Sequence, residues 1–443
     1  QSVVQRRRDP VLVTTAGRDR ILVQCFPVPP DRGEMKVRIG MTVPLLLENT
    51  HNVQLLLPHF VNRNFKIPYD LTHSIWLESK SPMTSSNYAF KTSNYSSDTF
   101  ALGGSTSDWD LSRLPNSIKL TRANVVSWSK DPFEASKFVV QQSVVERVPS
   151  HLYRIVLVVD TSELMEPYSA DIRAALRSIP PDFDVKLVLA NSDGLQNITA
   201  SGVDEIRTRL FDTRFGGGAD NIPALLKGWE LAAEKPGNNA IVWIHAPQRL
   251  QLHSIDELRQ RWERRPFGPA LYSFRTTTGP DEIEKQLDGI NEVKSVPRGS
   301  FTLQDLESLF LRLTGQIKTL EFVRTSKMVE QYPIEELTQT SDHLARLWAN
   351  DEVTRILSAR DESLNDEAVI LASRYQLVTP VTGAVVLETA QQYSASGLTP
   401  VDPGTVPTIP EPEMVALLIV AAMFLAWLAW RKYRTIGGGG CTV

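Results

Sequence analysis

The sequence predicts an α/β protein: a doubly wound parallel sheet, preceded by an antiparallel β module and followed by a C-terminal transmembrane helix. Three observations predict it. Residues 154–160, RIVLVVD, form an uninterrupted apolar run ending in an acid, as expected of a parallel strand buried on both faces. Strand-like runs then alternate with helix-period segments as far as residue 313, which argues crossover helices covering a parallel sheet. Residues 414–430, MVALLIVAAMFLAWLAW, carry no charge over about 17 positions, the lower limit for spanning a bilayer.

At 443 residues the chain is long enough for two or three domains. Hydrophobic residues at 42% and charged residues at 22% are ordinary for folded protein. The net charge of -4, with no basic run longer than Arg6-Arg7-Arg8, excludes nucleic acid as the expected partner. Cys25 and Cys441 are too few for a disulfide framework, and Cys25 in an apolar strand pattern is expected to be a core thiol. The chain opens at Gln1 without a signal peptide and reads as one missing its natural beginning.

Residues 1–48 alternate apolar and polar positions between breaks at Gly17, Pro27, Pro29-Pro30 and Gly33, which is hairpin-like β sequence. Residues 49–150 continue in that style, with Ser/Thr/Asn-rich turns over 79–107 and strands near 117–120 and 137–142. In 151–316 the expected strands are 154–160, 184–190, 240–245 and 270–274. The expected helices there are 168–178, 203–211, 221–234, 254–264, 280–289 and 303–313. Residues 317–398 read as a strand and helix segment packing on the preceding domains, and 399–413 as a proline-rich extended tether.

Glu411 and Glu413 precede the apolar run at 414–430, while Arg431, Lys432 and Arg434 follow it, with Trp427 and Trp430 near the basic end. Basic flanks hold the cytoplasmic side, so 431–443 is expected inside and the bulk of the chain outside, periplasmic or extracellular. Ligands of doubly wound sheets meet loops at the carboxyl ends of strands, so chemistry is expected after Asp160, after His245 and in the loop 215–220. Gly216-Gly217-Gly218 before a helix suggests a phosphate cradle. No Lys-Ser/Thr follows, however, and Asp220 would repel phosphate and more simply cap the helix near Asn221. Ser162 or Ser192 with His245 or His253 lacks a Gly-x-Ser-x-Gly elbow, so no catalytic residue is assigned and the chain is read as a non-enzyme.

Those three loops resemble the von Willebrand factor type A domain. VVDTSELM (158–165) is similar to that family's Asp-x-Ser-x-Ser metal loop, and FGGGADNIPALLKGWELA (215–232) to its Gly-Gly-Thr loop and following helix. Residues 7–45 resemble the closing half of a VIT domain. Residues 344–357 and 372–388 resemble the segment after the type A domain in inter-alpha-trypsin inhibitor heavy chains and bacterial relatives. Pro410-Glu411-Pro412, an apolar helix and a basic cluster resemble a PEP-CTERM sorting signal, which implies handling by an exosortase.

The family resemblance implies adhesion through a magnesium ion held by oxygen ligands, with Mg or Ca as the only cofactor to consider. Here the set is damaged. Asp160 and Ser162 are in place, but Leu164 stands for the second serine, Ala219 for the threonine, and the third loop, WIHAPQ, offers His245 instead of an aspartate. Neutral imidazole suits zinc or copper better. No metal site is assigned, with Asp160 and Ser162 the weak candidates. Binding is expected around Asp160, Ser162, Glu163, Gly217, Gly218, Asp220, Asn221, His245 and Gln248, without metal. The expected partner is a protein or surface polysaccharide on the outer side. The function expected is a non-catalytic, membrane-anchored envelope binding or assembly protein. A metal-dependent adhesin and, behind it, an envelope hydrolase using the same cleft are the alternatives.

Overall fold

A computed structural model describes all residues except 1–10, 18–19, 26–36, 38, 69, 97–98, 113–116, 123, 135–137, 149–151, 192–198, 219, 250, 266–267, 331–337, 360, 388–389 and 396–443. The chain divides into two compact units, Gln1–Val28 with Thr42–Glu388, and Pro29–Met41 with Thr389–Val443. The described residues of the second unit include the short helix Ala390–Ala395. Val37 and Ile39, expected in strand, are exposed and lie outside any strand.

The first unit is organised around a six-stranded sheet. Its order is Thr199–Ser201, Val185–Ala190, Arg154–Asp160, Asn239–His245, Ala270–Arg275 and Val293–Ser295. All neighbours are parallel except Thr199–Ser201, which pairs antiparallel with Val185–Ala190. Successive side chains of a strand point to opposite faces. Ile155, Leu157 and Val159 therefore enter one core with Met165, Ile172, Ile206 and Phe310, while Val156 and Val158 enter the other with Leu225, Trp229, Trp243 and Trp262. A strand buried on both faces needs apolar residues at every position, which is why 154–160 reads as a continuous run.

Helices Ser169–Ala175, Val203–Asp212 and Thr302–Leu313 cover the first face. Helices Ile222–Glu234, Asp256–Arg264 and Glu282–Gln286 cover the second. Helix Ile222–Glu234 lies so close that a Cβ at Gly228 would stand 2.7 Å from Val158 Cγ2, inside the packing limit.

The helix expected over 168–178 is broken into three pieces. Pro167 sits inside a 3-10 turn, Glu163–Tyr168, then comes the α-helix Ser169–Ala175, then a second 3-10 turn, Leu176–Ser178. Proline cannot donate the N–H that would carry an α-helix through it. Ile179 is extended, as the residue before Pro180 should be. The helix expected over 280–289 is only Glu282–Gln286, because Asp281 caps it by accepting from Glu284 N. The short edge strands Thr199–Ser201 and Val293–Ser295 were not expected, being too brief to show a period.

Residues 42–147 form two further sheets plus part of a third. Leu46–Leu47, Asn52–Leu56, Ser117–Thr121 and Met83–Ser85 make one, and Thr72–Ser79, Thr99–Ser107 and Lys91–Ser96 another. Leu57, Met83, Phe90, Leu102, Leu111 and Ile118 form a core there. Phe138–Arg147 pairs along its whole length with Thr319–Met328, and helix His343–Ser358 packs on that sheet through Leu344, Ala345 and Ala349. Val11–Thr15 pairs with Ile21–Cys25 as the expected hairpin and with Ala384–Val386 on its other side. Cys25 is half-buried rather than in the core, because this small sheet leaves Ile21 and Leu22 exposed.

Among the described residues no helix is long and apolar enough to cross a membrane. The expected span 414–430, the tether 399–413, the sorting residues Pro410, Glu411 and Pro412, and the tail 431–443 lie outside the described residues.

Candidate functional site: a closed rim at the carboxyl edge of the sheet

Arg154–Asp160 is the strand from which the sheet grows in both directions, with Val185–Ala190 on one side and Asn239–His245 on the other. Loops leaving the carboxyl ends of this strand and of Asn239–His245 pass to helices on opposite faces, the place where doubly wound sheets meet their ligands. Backbone bonds tie the loops there. Gly216 N donates to Thr161 O at 2.9 Å, and Glu163 N donates to Gly217 O at 3.1 Å.

Asp160 lies at the centre, with no exposure to solvent. A buried carboxylate is stable only when its lone pairs are occupied. Four protein donors occupy them. Ser162 N reaches Oδ1 at 2.9 Å, while Oδ2 accepts from Ser162 Oγ at 2.8 Å, Gln248 Nε2 at 3.1 Å and Ala246 N at 3.3 Å. Gln248 also donates to Ala246 O at 3.2 Å and accepts from Asn221 Nδ2 at 3.1 Å. Asn221 in turn accepts from Trp243 Nε1 at 2.8 Å. A carboxamide with both donor and acceptor ends can bridge a carboxylate to an amide donor, which a second carboxylate could not do.

Asp220 holds the outer part of the rim. Its Oδ1 accepts from Ile222 N at 3.0 Å, starting the helix as expected. Its Oδ2 accepts from Leu252 N, His253 N and His253 Nδ1 at 2.7–2.9 Å, fastening the loop after Gln248. Burial alone would raise the Asp220 carboxyl, but the hydrogen bonds from Ile222, His253 and Leu252 outweigh it and hold the carboxyl below its ordinary value. A lowered carboxyl contributes stability that is present above the unfolded value, about 3.9, and is lost as pH falls through the folded value. Asp220→Asn should therefore show a lower urea midpoint than the parent at neutral pH. The gap should close on acidification below about pH 4.

His245 points away from Asp160. Its ring has no exposure and stacks on Trp243 with centroids 3.5 Å apart and planes 9° from parallel. Nδ1 lies 2.9 Å from Ala246 O and 3.4 Å from Asp281 Oδ2, and Nε2 lies 2.8 Å from Ser273 Oγ. Burial would raise the Asp281 carboxyl. Hydrogen bonding and charge from His245, with the Glu284 and Gln248 amides, outweigh it and keep the carboxyl below its ordinary range. Ser273, His245 and Asp281 thus stand in the order of a hydrolytic triad. Ser273 Oγ, however, donates to Glu284 Oε1 at 2.5 Å rather than to His245, and Ser273 is buried, so the three do not form a hydrolytic relay. Ser162, the serine first considered with His245, is engaged with Asp160 instead. His253 meets Asp220, and Ser192 lies outside the described residues.

The donor set does not fit a magnesium or calcium ion. Hard cations need six or more oxygen ligands. Here Asp160 already accepts from four protein donors, Ser162 Oγ is turned onto Asp160, Leu164 is 59% exposed with no side-chain oxygen to offer, and the third loop presents N–H donors. Among the described residues no group of three or more His, Cys, Asp or Glu is placed to hold a metal. Of the residues expected at the site, Asp160, Ser162, Asn221, His245 and Gln248 are buried, and Glu163, Gly217 and Gly218 are exposed. Gln248, expected to face a partner, is turned inward because Asp160 requires its amide. Ala219 lies outside the described residues. Sequence reasoning missed Ser273, Asp281 and Glu284. Only Asp281 carried a readable signal, an acid three residues before a glutamate at a helix start.

No protein-family model matches the chain, and no curated protein matches it. Among solved structures it is similar to a von Willebrand factor type A protein from Catenulispora acidiphila, at 9% identity and TM-score 0.31, covering 42% of this chain and 49% of that one. It is also similar to the manganese-loaded TRAP protein of Plasmodium vivax, at 12% identity and TM-score 0.27, covering 42% of this chain and 81% of that one. The ArnB paralog VWA2 of Sulfolobus acidocaldarius aligns at 10% identity and TM-score 0.30 over 58% of this chain and 91% of that one. The chain thus spans about half the length of the Catenulispora protein. At these identities and TM-scores nothing about the rim's chemistry transfers from them.

Proposed function

We propose that the chain is a non-catalytic binding or assembly protein of the cell envelope that engages its partner without a metal ion. The observation that carries this reading is the Gln248 carboxamide seated on Asp160, where a type A-like adhesion site would place its cation. With the polar centre closed, the surface left to meet a partner is the outer rim. There Leu164 is 59% and Leu252 81% exposed, beside the open backbone of Gly216–Gly218. Large apolar side chains exposed next to a hydrogen-bonded loop cluster favour a protein contact, with a surface polysaccharide second.

The remaining features are part of the same proposal. A VIT-like β module lies on the N-terminal side, and the type A-like domain is presented outward on the tether 399–413. The span 414–430 with its basic flank Arg431, Lys432 and Arg434 anchors the chain in the membrane. Pro410-Glu411-Pro412 supports processing by an exosortase.

The test uses the full chain in lipid vesicles, mixed with isolated envelope material. Retention should survive chelator and be lost in the double variant Leu164→Asp, Leu252→Asp. Retention that vanishes in chelator yet persists in the double variant would favour a metal-dependent adhesin.

A further inference from the structure

We propose that His245 is a buried imidazolium, the resident cation of this rim, and that its second proton keeps the turn at 246–248 closed over Asp160. The protons around the ring fix its charge whatever the rim binds. Ala246 O is a carbonyl and only accepts, so Nδ1, 2.9 Å away, carries a hydrogen. Ser273 has one hydroxyl proton, and it goes to Glu284 Oε1 at 2.5 Å, so Ser273 Oγ accepts from Nε2 and that nitrogen carries a hydrogen as well. The other oxygen of Glu284 accepts from two guanidinium groups, Arg20 Nη2 at 2.5 Å and Arg275 Nε at 3.3 Å. A ring donating from both nitrogens is charged.

The surroundings suit that charge. Asp281 Oδ2 lies 3.4 Å from Nδ1 and Glu284 Oε1 3.8 Å from Nε2, and Trp243 offers its indole face. The charged groups around the ring are Asp281 and Glu284 from helix Glu282–Gln286 and its cap. Beyond them lie Arg275 from the neighbouring strand Ala270–Arg275, Arg20 from the N-terminal hairpin, and Asp160 across the Ala246 amide. The same atoms set the turn. Ala246 O accepts from both His245 Nδ1 and Gln248 Nε2, and Asp281 Oδ2 accepts from Gln248 N at 3.0 Å. Removing the second proton takes a donor from Ala246 O or Ser273 and the counter-charge from Asp281, so the turn that delivers the Gln248 amide to Asp160 loosens.

Ring nitrogens of histidine are read directly by nitrogen-15 NMR on the full chain. The His245 signal is assigned as the one that persists when each of the other six histidines is replaced in turn. At pH 7 both of its ring nitrogens should be protonated. A single unprotonated ring nitrogen would overturn the proposal. In the double variant Asp281→Asn, Glu284→Gln the ring should revert to one proton, and the Gln248 amide should exchange about tenfold faster or more. A doubly protonated ring or unchanged exchange in that variant would also overturn it. Should the double variant fail to fold, the parent's ring signal decides alone.

Discussion

Replacing Asp160 with alanine should destabilise the chain by about 3–5 kcal/mol, with or without a chelator. The substitution removes the acceptor of four donors at once, Ser162 N, Ser162 Oγ, Ala246 N and Gln248 Nε2, all on buried residues. Asn221 and Trp243 lie further along the same chain of bonds and lose its fixed end. A carboxylate that waits for a cation behaves in the opposite way, because removing it relieves an uncompensated charge. Urea unfolding monitored by far-ultraviolet circular dichroism measures the difference. A loss below about 1 kcal/mol would mean that the donors are not committed to Asp160.

Trp243→Ala is expected to cost a similar amount, about 3–5 kcal/mol, for a different reason. Trp243 is fully buried in the second core, lies against His245 and donates its indole N–H to Asn221. Truncation opens a cavity, strips one face of the His245 ring and frees Asn221 Oδ1. Trp243→Phe keeps most of the volume and removes the donor, so it should lose much less, about 1 kcal/mol beyond the small volume change. Thermal or urea denaturation of the pair separates packing from hydrogen bonding. Equal losses in the two variants would show that the hydrogen bond, not the bulk, dominates.

The sheet was legible because its physics is local. Arg154–Asp160 and Asn239–His245 are buried on both faces and so read as apolar runs, and helices such as Ile222–Glu234 show their period over several turns. Thr199–Ser201 and Val293–Ser295 are too short to display any period. The three loops at the rim were legible as a place, since they follow the strands. Their wiring was not. Gln248 meets Asp160 across 88 positions of sequence, and His245 meets Ser273 across 28. Nothing in the local pattern around a glutamine says that its amide will complete a distant carboxylate. That Leu164 and His245 bring no side-chain oxygen could be read from residue types, but the bonds His245 makes could not. Cys25 misled for a related reason, as an apolar strand pattern does not say whether its sheet has a partner layer.

Asp160 is satisfied by protein groups rather than by an ion. Calorimetric titration of magnesium, and separately calcium, into the full chain tests this most directly. The expected result is no saturable heat that depends on Asp160, with Asp160→Ala giving the same trace as the parent. Tight, saturable binding that disappears in Asp160→Ala would contradict it.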